Sequence, residues 1–329
     1  MSDVLMRIND LHIHYVTSEA HVYAVNGVSF ELKRGETLGL IGETGAGKTT
    51  IAKAILGILP KLVTRVQGGE ILFDGQNIFS LDEEDLRDVR GNRITIIFQD
   101  PMTALNPVMT VGSQIAEVVM LHSGGSAAEA RKRAIEMLEI VGIPAERYVE
   151  YPHQFSGGMR QRVVIAIALA CNPELLLADE PTTALDVTIQ AQVLELMREL
   201  NKKNRTSMIM ITHDLGVVAE MCDNVAIVYA GQIVEIGTLE DIFDNPSHPY
   251  TVGLFNAMPA MIHQENARLK PIDGMPPDPT DLPLGCYFHP RCPHVMDECK
   301  NSDVPMLEIS PGHFSKCLRS KALTAGRDE

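Results

Sequence analysis

A glycine-rich segment near the N-terminus has the residue types that bind phosphate groups. It reads Gly42, Glu43, Thr44, Gly45, Ala46, Gly47, Lys48, Thr49 and Thr50. The pattern G-x-x-x-x-G-K-[ST], between a strand and a helix, turns backbone N–H groups inward around phosphates at the start of the helix. We expect Lys48 to reach the terminal phosphates of a nucleotide and the Thr49 hydroxyl to bind Mg²⁺. The segment therefore predicts a nucleoside-triphosphate site, and the alternative is a chance glycine-rich turn.

A second chemical element is a short apolar run, Leu175–Ala178, that ends in two carboxylates, Asp179 and Glu180. If the run is a buried strand, Asp179 lies beside the metal ion. Glu180 then lies where it can accept a proton from an attacking water. Such an acidic pair by itself is often only a solvated strand end. Together with the glycine-rich segment, it predicts hydrolysis of the bound nucleotide.

A third element is a serine followed by two glycines in the segment Phe155–Arg162. Ser156 is a good helix N-cap, and Gly157 and Gly158 expose backbone N–H groups, so the segment predicts a second anion-binding helix start. The helix itself is expected to begin near Val163. Without the first two elements, an ordinary capped helix would be the better interpretation.

The elements that position these residues alternate between strands and helices. Apolar and alternating runs predict strands at Leu5–Tyr15, Tyr23–Leu32, Thr37–Ile41, Gly69–Phe73, Leu175–Ala178 and Ser207–Ile211. Helical spacing of apolar residues predicts a helical subdomain over about residues 101–162. We therefore predict an α/β domain over residues 1–245. The prolines that follow predict a smaller, loop-rich second domain over residues 246–329.

Composition restricts the partners of the chain. Its 329 residues include 28 Lys and Arg against 43 Asp and Glu, which gives a formal charge of −15. Nucleic acid is bound by clustered cations, so it is not expected as a partner. No apolar stretch reaches the roughly 18–20 residues that span a bilayer, and the N-terminus lacks the pattern of a signal peptide. We expect a cytosolic chain, so any membrane that it serves must be spanned by other chains.

On these motifs the sequence resembles the ABC ATPase family over Leu5–Asn245. The family's Walker A motif matches Gly42–Thr49, its Walker B motif matches Leu175–Asp179, and its signature matches Ser156–Met159. The resemblance implies a P-loop ABC ATPase fold with a parallel-sheet core, an antiparallel β subdomain and a helical subdomain. It also implies ATP and Mg²⁺ as ligands. The protein would then form a head-to-tail dimer, in which the signature of one subunit completes the ATP site of the other.

The same resemblance assigns the catalytic residues. Gln99 matches the Q-loop, and it is expected to contact Mg²⁺ together with Thr49 and Asp179. His213 matches the switch histidine and is expected to contact the γ-phosphate. Glu180 is the expected general base, so Glu180, His213 and Gln99 form the expected catalytic set.

Two further matches concern nucleotide binding. The segment Thr183–Asp186 matches the D-loop, and Asp186 is expected at the nucleotide. The family also places an aromatic residue against the adenine ring. Tyr15 is the better match for this position, and Tyr23 is the alternative.

Two stretches near the C-terminus, Asn245–Thr251 and Gly285–Pro293, resemble the C-terminal extension of the ATPase subunits of dipeptide and oligopeptide importers. This resemblance implies a second ATPase subunit or a second copy of the chain, two transmembrane permease subunits and, indirectly, an extracytoplasmic binding protein. It implies a location at the cytoplasmic face of the cell membrane. The alternatives are a related importer for nickel or another small solute, an exporter motor and a soluble ABC ATPase.

A group of cysteines lies in the loop-rich region: Cys286, Cys292, Cys299 and Cys317. Structural disulfides are not expected in a reducing compartment, and four thiolates suit zinc or an iron–sulfur cluster. The gaps are longer than the about two to four residues usual for zinc, and Pro293 after Cys292 is typical of bacterial cluster sites. Some proteins of the resembled group carry a [4Fe–4S] cluster, so we favour a cluster over zinc and over free thiols.

Overall fold

The fold is described for residues 3–99, 101–182, 185–257 and 270–320 of a computed structural model. Its strands are β1 (Val4–Val16), β2 (His21–Lys33), β3 (Thr37–Ile41), β4 (Thr64–Phe73), β5 (Gln76–Asn77), β6 (Ile94–Ile97), β7 (Leu175–Asp179), β8 (Ser207–Ile211), β9 (Asn224–Tyr229), β10 (Gln232–Thr238), β11 (Leu307–Ser310) and β12 (His313–Ser315). Its α-helices are α1 (Lys48–Ile55), α2 (Glu83–Val89), α3 (Pro101–Ala104), α4 (Val111–Ser123), α5 (Ala127–Ile140), α6 (Gly157–Leu169), α7 (Val187–Asn204), α8 (Leu215–Met221), α9 (Leu239–Asp244), α10 (Pro249–Asn256) and α11 (Glu298–Asn301). Short 3-10 helices span Ile78–Ser80, Ala145–Val149, Pro152–Gln154 and His289–Arg291.

The larger sheet has eight strands in the order β11-β12-β10-β9-β3-β8-β7-β6. Strands β9, β3, β8, β7 and β6 run parallel, and β10, β12 and β11 continue the sheet in antiparallel pairs. Every residue of β3, β7 and β8 is buried, as expected for central strands that are covered on both faces. The carboxyl ends of these three strands lie at one edge of the sheet, so the loops that follow them lie together.

The smaller sheet is antiparallel, with the order β2-β1-β4-β5. Apolar side chains on its inner face, such as Ile8 and Leu11 of β1, share a core with Ile51 and Ile55 of α1. This packing brings the end of β1, which carries Tyr15, beside the first turn of α1.

The helical region contains α3 to α6, and its apolar side chains share a second core with α7. Helix α6 begins at Gly157 rather than near Val163, because the Ser156 hydroxyl accepts a hydrogen bond from the Met159 N–H at 3.4 Å and caps it. The two glycines therefore form the first turn of this helix. Across the described ranges, no helix is long and apolar enough to cross a bilayer.

The C-terminal region is built onto the larger sheet. Strand β12 pairs with β10, with Glu235 opposite Ser315 and Ile236 opposite Phe314. Strands β11 and β12 are too short to show a periodic pattern in the sequence, which is why they were not predicted. The region therefore shares a sheet with the domain before it, and the domain boundary after residue 245 stays a prediction.

Candidate active site

The glycine-rich segment forms the connection between β3 and α1. Gly47 is the N-cap residue of α1, with a φ of 100°. A Cβ atom at this position would lie 2.4 Å from the Ala24 carbonyl oxygen, so both the backbone angle and the space require glycine. The first N–H groups of an α-helix have no acceptor within the helix, so the start of α1 can bind an anion.

Lys48, the first residue of α1, is buried beneath this loop. Its Nζ atom donates to the carbonyl oxygens of Gly42 at 2.7 Å and of Glu43 at 2.9 Å. Burial lowers the pKa of the Lys48 ammonium, and the carboxylates of Glu180, Asp179 and Glu43 oppose this shift. The lysine thus lies inside the loop, with carboxylates close enough to favour its charged form.

Asp179, the last residue of β7, lies beside the start of α1. Its Oδ2 atom accepts a hydrogen bond from the Thr49 hydroxyl at 2.9 Å. Burial raises the pKa of the Asp179 carboxyl, while the hydrogen bond from Thr49 lowers it. A hydroxyl and a carboxylate are oxygen ligands of the kind that Mg²⁺ binds, so this pair fits the predicted metal ion.

Glu180 follows β7 and is held from two sides. Gln99 Nε2 donates to its Oε2 atom at 2.7 Å, and His213 Nδ1 lies 2.9 Å from its Oε1 atom. The Glu180 backbone has a φ of 49°, which is uncommon for a residue other than glycine, and its N–H donates to the Ile211 carbonyl at 2.8 Å. Residues that follow β6, β7 and β8 therefore meet at one carboxylate.

The two tyrosines proposed for adenine stacking have different surroundings. The Tyr15 hydroxyl donates to Thr50 Oγ1 at 3.2 Å, next to the glycine-rich segment Gly42–Thr49, which we call the phosphate loop. Tyr23 instead packs between two histidine rings, 4.6 Å from the His21 centroid and 4.8 Å from that of His14. These contacts favour Tyr15 for the predicted role.

The signature lies on a different helix from the phosphate loop. Ser156 caps α6, and the Cβ position of Gly157 faces open space. At Gly158 a Cβ atom would lie 2.4 Å from Ile189 Cγ2, so this glycine allows α6 to pack closely on α7. The contacts described for Ser156 are with Met159 and Arg160 of its own helix.

Asp186 caps α7, and its Oδ1 atom accepts a hydrogen bond from the Ile189 N–H at 3.0 Å. The side chain is exposed. Thr183 and Ala184, the first two residues of the predicted D-loop, lie outside the described residues. The assignment of Asp186 to the nucleotide therefore stays a prediction.

The predicted cysteine site comes together only in part. Cys286, Cys292, Cys299 and Cys317 are all free thiols and line one small cavity. Burial raises the pKa of Cys286, Cys292 and Cys317, which favours neutral thiols. In the described part of the chain, no group of three or more His, Cys, Asp or Glu side chains is spaced to hold a metal ion.

Two residues that touch the phosphate loop were not predicted as site residues. Arg291 forms an ion pair with Glu43, and the Tyr250 hydroxyl accepts a hydrogen bond from the Glu43 N–H. Both come from the C-terminal region, far from the loop in sequence. No local pattern indicates such a contact, so only the tertiary structure could reveal it.

The chain is similar to known protein families along most of its length. A family model described as "ABC transporter" matches residues 25–183, and one described as "Oligopeptide/dipeptide transporter, C-terminal region" matches residues 234–299. The chain is 49% identical to the oligopeptide transport ATP-binding protein OppD of Salmonella typhimurium, over 97% of this chain and 94% of that protein. It is 51% identical to the dipeptide transport ATP-binding protein DppD of Bacillus subtilis, over 95% of this chain and 94% of that protein. This chain belongs to the ABC transporter family.

Solved structures confirm the predicted ABC ATPase fold. The dimeric, post-hydrolysis structure of the ATP-binding cassette MJ0796 bound to ADP and Pi superimposes with a TM-score of 0.64 at 29% identity. The match covers 71% of this chain and 98% of that chain. The protein is therefore an ATPase of the ABC type.

Proposed function

We propose that this ABC ATPase powers the import of dipeptides or oligopeptides. The observation that carries the proposal is the identity of about half of all positions with peptide-transport ATP-binding proteins along nearly the whole chain. That identity includes the C-terminal region, which has its own match to peptide transporters. A likeness confined to the nucleotide site would not separate this function from other ABC transporters.

In the proposed hydrolysis, Lys48 binds the terminal phosphates and Thr49 and Asp179 hold Mg²⁺. Mg²⁺ held by these two residues would neutralise charge on the phosphates. Glu180 accepts the proton of the attacking water, and its two oxygens are oriented by Gln99 and His213. His213 Nδ1 faces Glu180, so a contact with the γ-phosphate would use its Nε2 atom, which can donate there only when it carries a proton.

We further propose that the protein acts in a head-to-tail ATPase dimer. The start of α6, with Ser156, Gly157 and Gly158, supplies a second set of backbone N–H groups to the nucleotide held by the other subunit. The open space at Gly157 supports this role, because a partner's ATP could approach the helix start closely. Hydrolysis removes the γ-phosphate that both subunits contact, which allows the dimer to open.

The partners that we propose are a second ATPase subunit or a second copy of this chain, two permease subunits and an extracytoplasmic peptide-binding protein. The chain would lie at the cytoplasmic face of the membrane.

The test is uptake of labelled dipeptide, oligopeptide and Ni²⁺ by cells of the source organism that lack this gene. The cells are complemented with the wild-type chain or with Glu180→Gln.

Peptide uptake restored by the wild-type chain and not by Glu180→Gln is the expected result. Restoration of Ni²⁺ uptake alone would assign the chain to a metal importer. If the deletion slows efflux of a preloaded peptide and leaves its uptake unchanged, the motor belongs to an exporter. Unchanged transport in both directions would leave a soluble ATPase and refute the proposal.

The four cysteines are proposed to hold a [4Fe–4S] cluster that stabilises the loop-rich C-terminal region. Four thiol groups on one cavity supply the donor chemistry that such a cluster needs. Their spacing is not that of a metal site as it stands, so the thiols would have to move closer together to bind it. Zinc is the alternative ligand of the same donors.

The test is to purify the chain without oxygen and to measure iron, sulfide and zinc per polypeptide together with visible absorption. About four irons and four sulfides, lost in Cys286→Ser and Cys317→Ser but kept in Cys171→Ser, would support the cluster. Cys171 is a matched control because it is a free thiol outside the cavity. Stoichiometric zinc, or no metal at all, would refute the cluster and leave the ATPase assignment unchanged.

A further inference from the structure

Glu43, the second residue of the phosphate loop, is bound by an arginine from the far end of the chain. Arg291 Nη1 lies 2.9 Å from Glu43 Oε2, and Arg291 Nη2 lies 3.2 Å from Glu43 Oε1. The contact is a bidentate ion pair, in which both the charge and the orientation of the guanidinium contribute to the interaction. The Arg291 side chain is 5% exposed and that of Glu43 is 28% exposed, so solvent screens the pair only in part.

A second contact from the C-terminal region reaches the backbone of the same residue. The Tyr250 hydroxyl accepts a hydrogen bond from the Glu43 N–H at 3.0 Å. Tyr250 belongs to α10 and is fully buried, with its ring 4.5 Å from that of Tyr229. Arg291 also donates to the Tyr229 hydroxyl at 3.3 Å. Both groups that hold Glu43 are thus fixed by a packed aromatic cluster.

The same loop residue also contacts the lysine of the site. The Glu43 carbonyl accepts a hydrogen bond from Lys48 Nζ at 2.9 Å. The side chain and the N–H of Glu43 are therefore fixed from the C-terminal region, and its carbonyl faces the ammonium that binds phosphate. Any displacement of Glu43 changes the shape of the loop around that ammonium.

We propose that Arg291 and Tyr250 are positioning residues for ATP binding, through which the C-terminal region holds the phosphate loop in its binding-competent shape. Neither residue is assigned a contact with the nucleotide. The proposal rests on ATP hydrolysis at this site and not on which solute is transported.

Two physical effects make ATP binding depend on Arg291. If the loop adopts its ATP-binding conformation for only a fraction of the time, the affinity for ATP falls in proportion to that fraction. Loss of the ion pair should lower this fraction and therefore weaken binding. In addition, the Glu43 carboxylate lies on a loop that must accept a polyanion. Without the guanidinium its charge would oppose the phosphates.

The test is steady-state ATPase kinetics and equilibrium binding of a fluorescent ATP analogue to the purified full chain. We expect Arg291→Ala to raise the KM and the Kd for ATP about tenfold, near the lower end for a lost charge-assisted hydrogen bond. The kcat should change less than about twofold, because Arg291 does not touch the reacting groups. Arg291→Lys should recover part of the affinity, since lysine keeps the positive charge but lacks the two parallel N–H donors of the guanidinium. Tyr250→Phe should raise the Kd about threefold, as expected for loss of one neutral hydrogen bond.

A double-mutant cycle tests whether Arg291 acts through Glu43. Glu43→Gln removes the carboxylate charge, so Glu43→Gln/Arg291→Ala should bind ATP no more weakly than Arg291→Ala alone. Effects on Kd that multiply in the double variant would show that the two residues act independently and would overturn the proposal.

Lys300→Ala is the matched control, because Lys300 forms an exposed ion pair with Asp297 in the same C-terminal region. It should leave the Kd for ATP unchanged. Thermal unfolding of each variant separates positioning from general loss of structure. A lower unfolding temperature for Arg291→Ala with an unchanged Kd below that temperature would show a purely structural role. That result would refute the proposal while leaving ATP hydrolysis and transport intact.

Discussion

A buried carboxylate on β10 joins the C-terminal region to the larger sheet. Glu235 has no solvent exposure, and it accepts hydrogen bonds from the N–H groups of Ser247 at 2.7 Å and His248 at 2.9 Å. It also accepts from the Ser247 hydroxyl at 3.0 Å and lies 2.8 Å from His313 Nε2 on β12. These partners all lie after the predicted domain boundary, whereas Glu235 lies before it. We predict that this carboxylate determines how firmly the C-terminal region is attached.

The magnitude follows from the groups that lose their acceptor. In Glu235→Ala, two buried N–H groups and the His313 ring are left without the carboxylate, and each unsatisfied group costs about 1–3 kcal/mol. We therefore expect Glu235→Ala to lower the free energy of unfolding by about 4 kcal/mol. Glu235→Gln keeps one acceptor oxygen and should lower it by about half as much.

The assay is urea unfolding of the full chain, followed by near-ultraviolet circular dichroism and by proteolysis of the C-terminal region. The control is Glu308→Ala on β11, an exposed carboxylate that accepts one hydrogen bond from the Gly312 N–H. It should change the free energy of unfolding by less than about 0.5 kcal/mol. If Glu235→Ala proves as mild as this control, the reasoning about the buried network is wrong.

The same network has a pH dependence with a defined sign. Burial by itself raises the pKa of the Glu235 carboxyl, but the hydrogen bond from His313 and those from the backbone outweigh it, so the net pKa is lowered. A lowered pKa in the folded state contributes stability above the pKa of the unfolded chain, and this contribution is lost as the pH falls through the folded pKa. The stability difference between wild type and Glu235→Gln should therefore be constant near neutral pH and shrink below about pH 4. A difference that grows on acidification would contradict this assignment.

Two further predictions concern the ATP site. Glu180→Gln should bind ATP with wild-type affinity and lower kcat by a factor of about 10²–10⁴, because the amide cannot accept the proton of water. A kcat within twofold of wild type in steady-state assays would exclude Glu180 as the base. Tyr15→Ala should weaken binding of a fluorescent ATP analogue by roughly tenfold, because it removes the ring that stacks on the base. Tyr15→Phe keeps the ring and should bind within about threefold of wild type. Equal losses of affinity in both variants would instead assign the effect to the hydroxyl contact with Thr50.

Much of the candidate ATP site could be proposed from the sequence because each of its main motifs is a run of consecutive residues. The conformation of the phosphate loop follows from its glycines, as the positive φ and close backbone contact of Gly47 show. The run Leu175–Asp179 is uniformly apolar before its carboxylate, so it could be recognised as a buried strand. The family resemblance also predicted the fold that the solved structures confirm.

Two other features were not obtained from the sequence, each for its own reason. The start of α6 was misplaced although its cap is local, since the apolar run from Val163 onward gave a stronger signal than the glycines before it. The spacing of the four thiols also lies outside what a sequence can give, because the cysteines are carried by loops without periodic structure.

Glu43 shows most clearly the difference between what the sequence indicates and what only the tertiary structure decides. The sequence by itself predicts that this residue belongs to a phosphate-binding loop, since the motif is a run of consecutive residues. Only the tertiary structure decided that Arg291, 248 positions later, forms an ion pair with it. An ion pair needs only opposite charges that the fold brings within reach, and many acidic and basic residues in the chain satisfy that condition. Their separation in space is set by how β12 joins β10 and by how α10 packs, which no local pattern records.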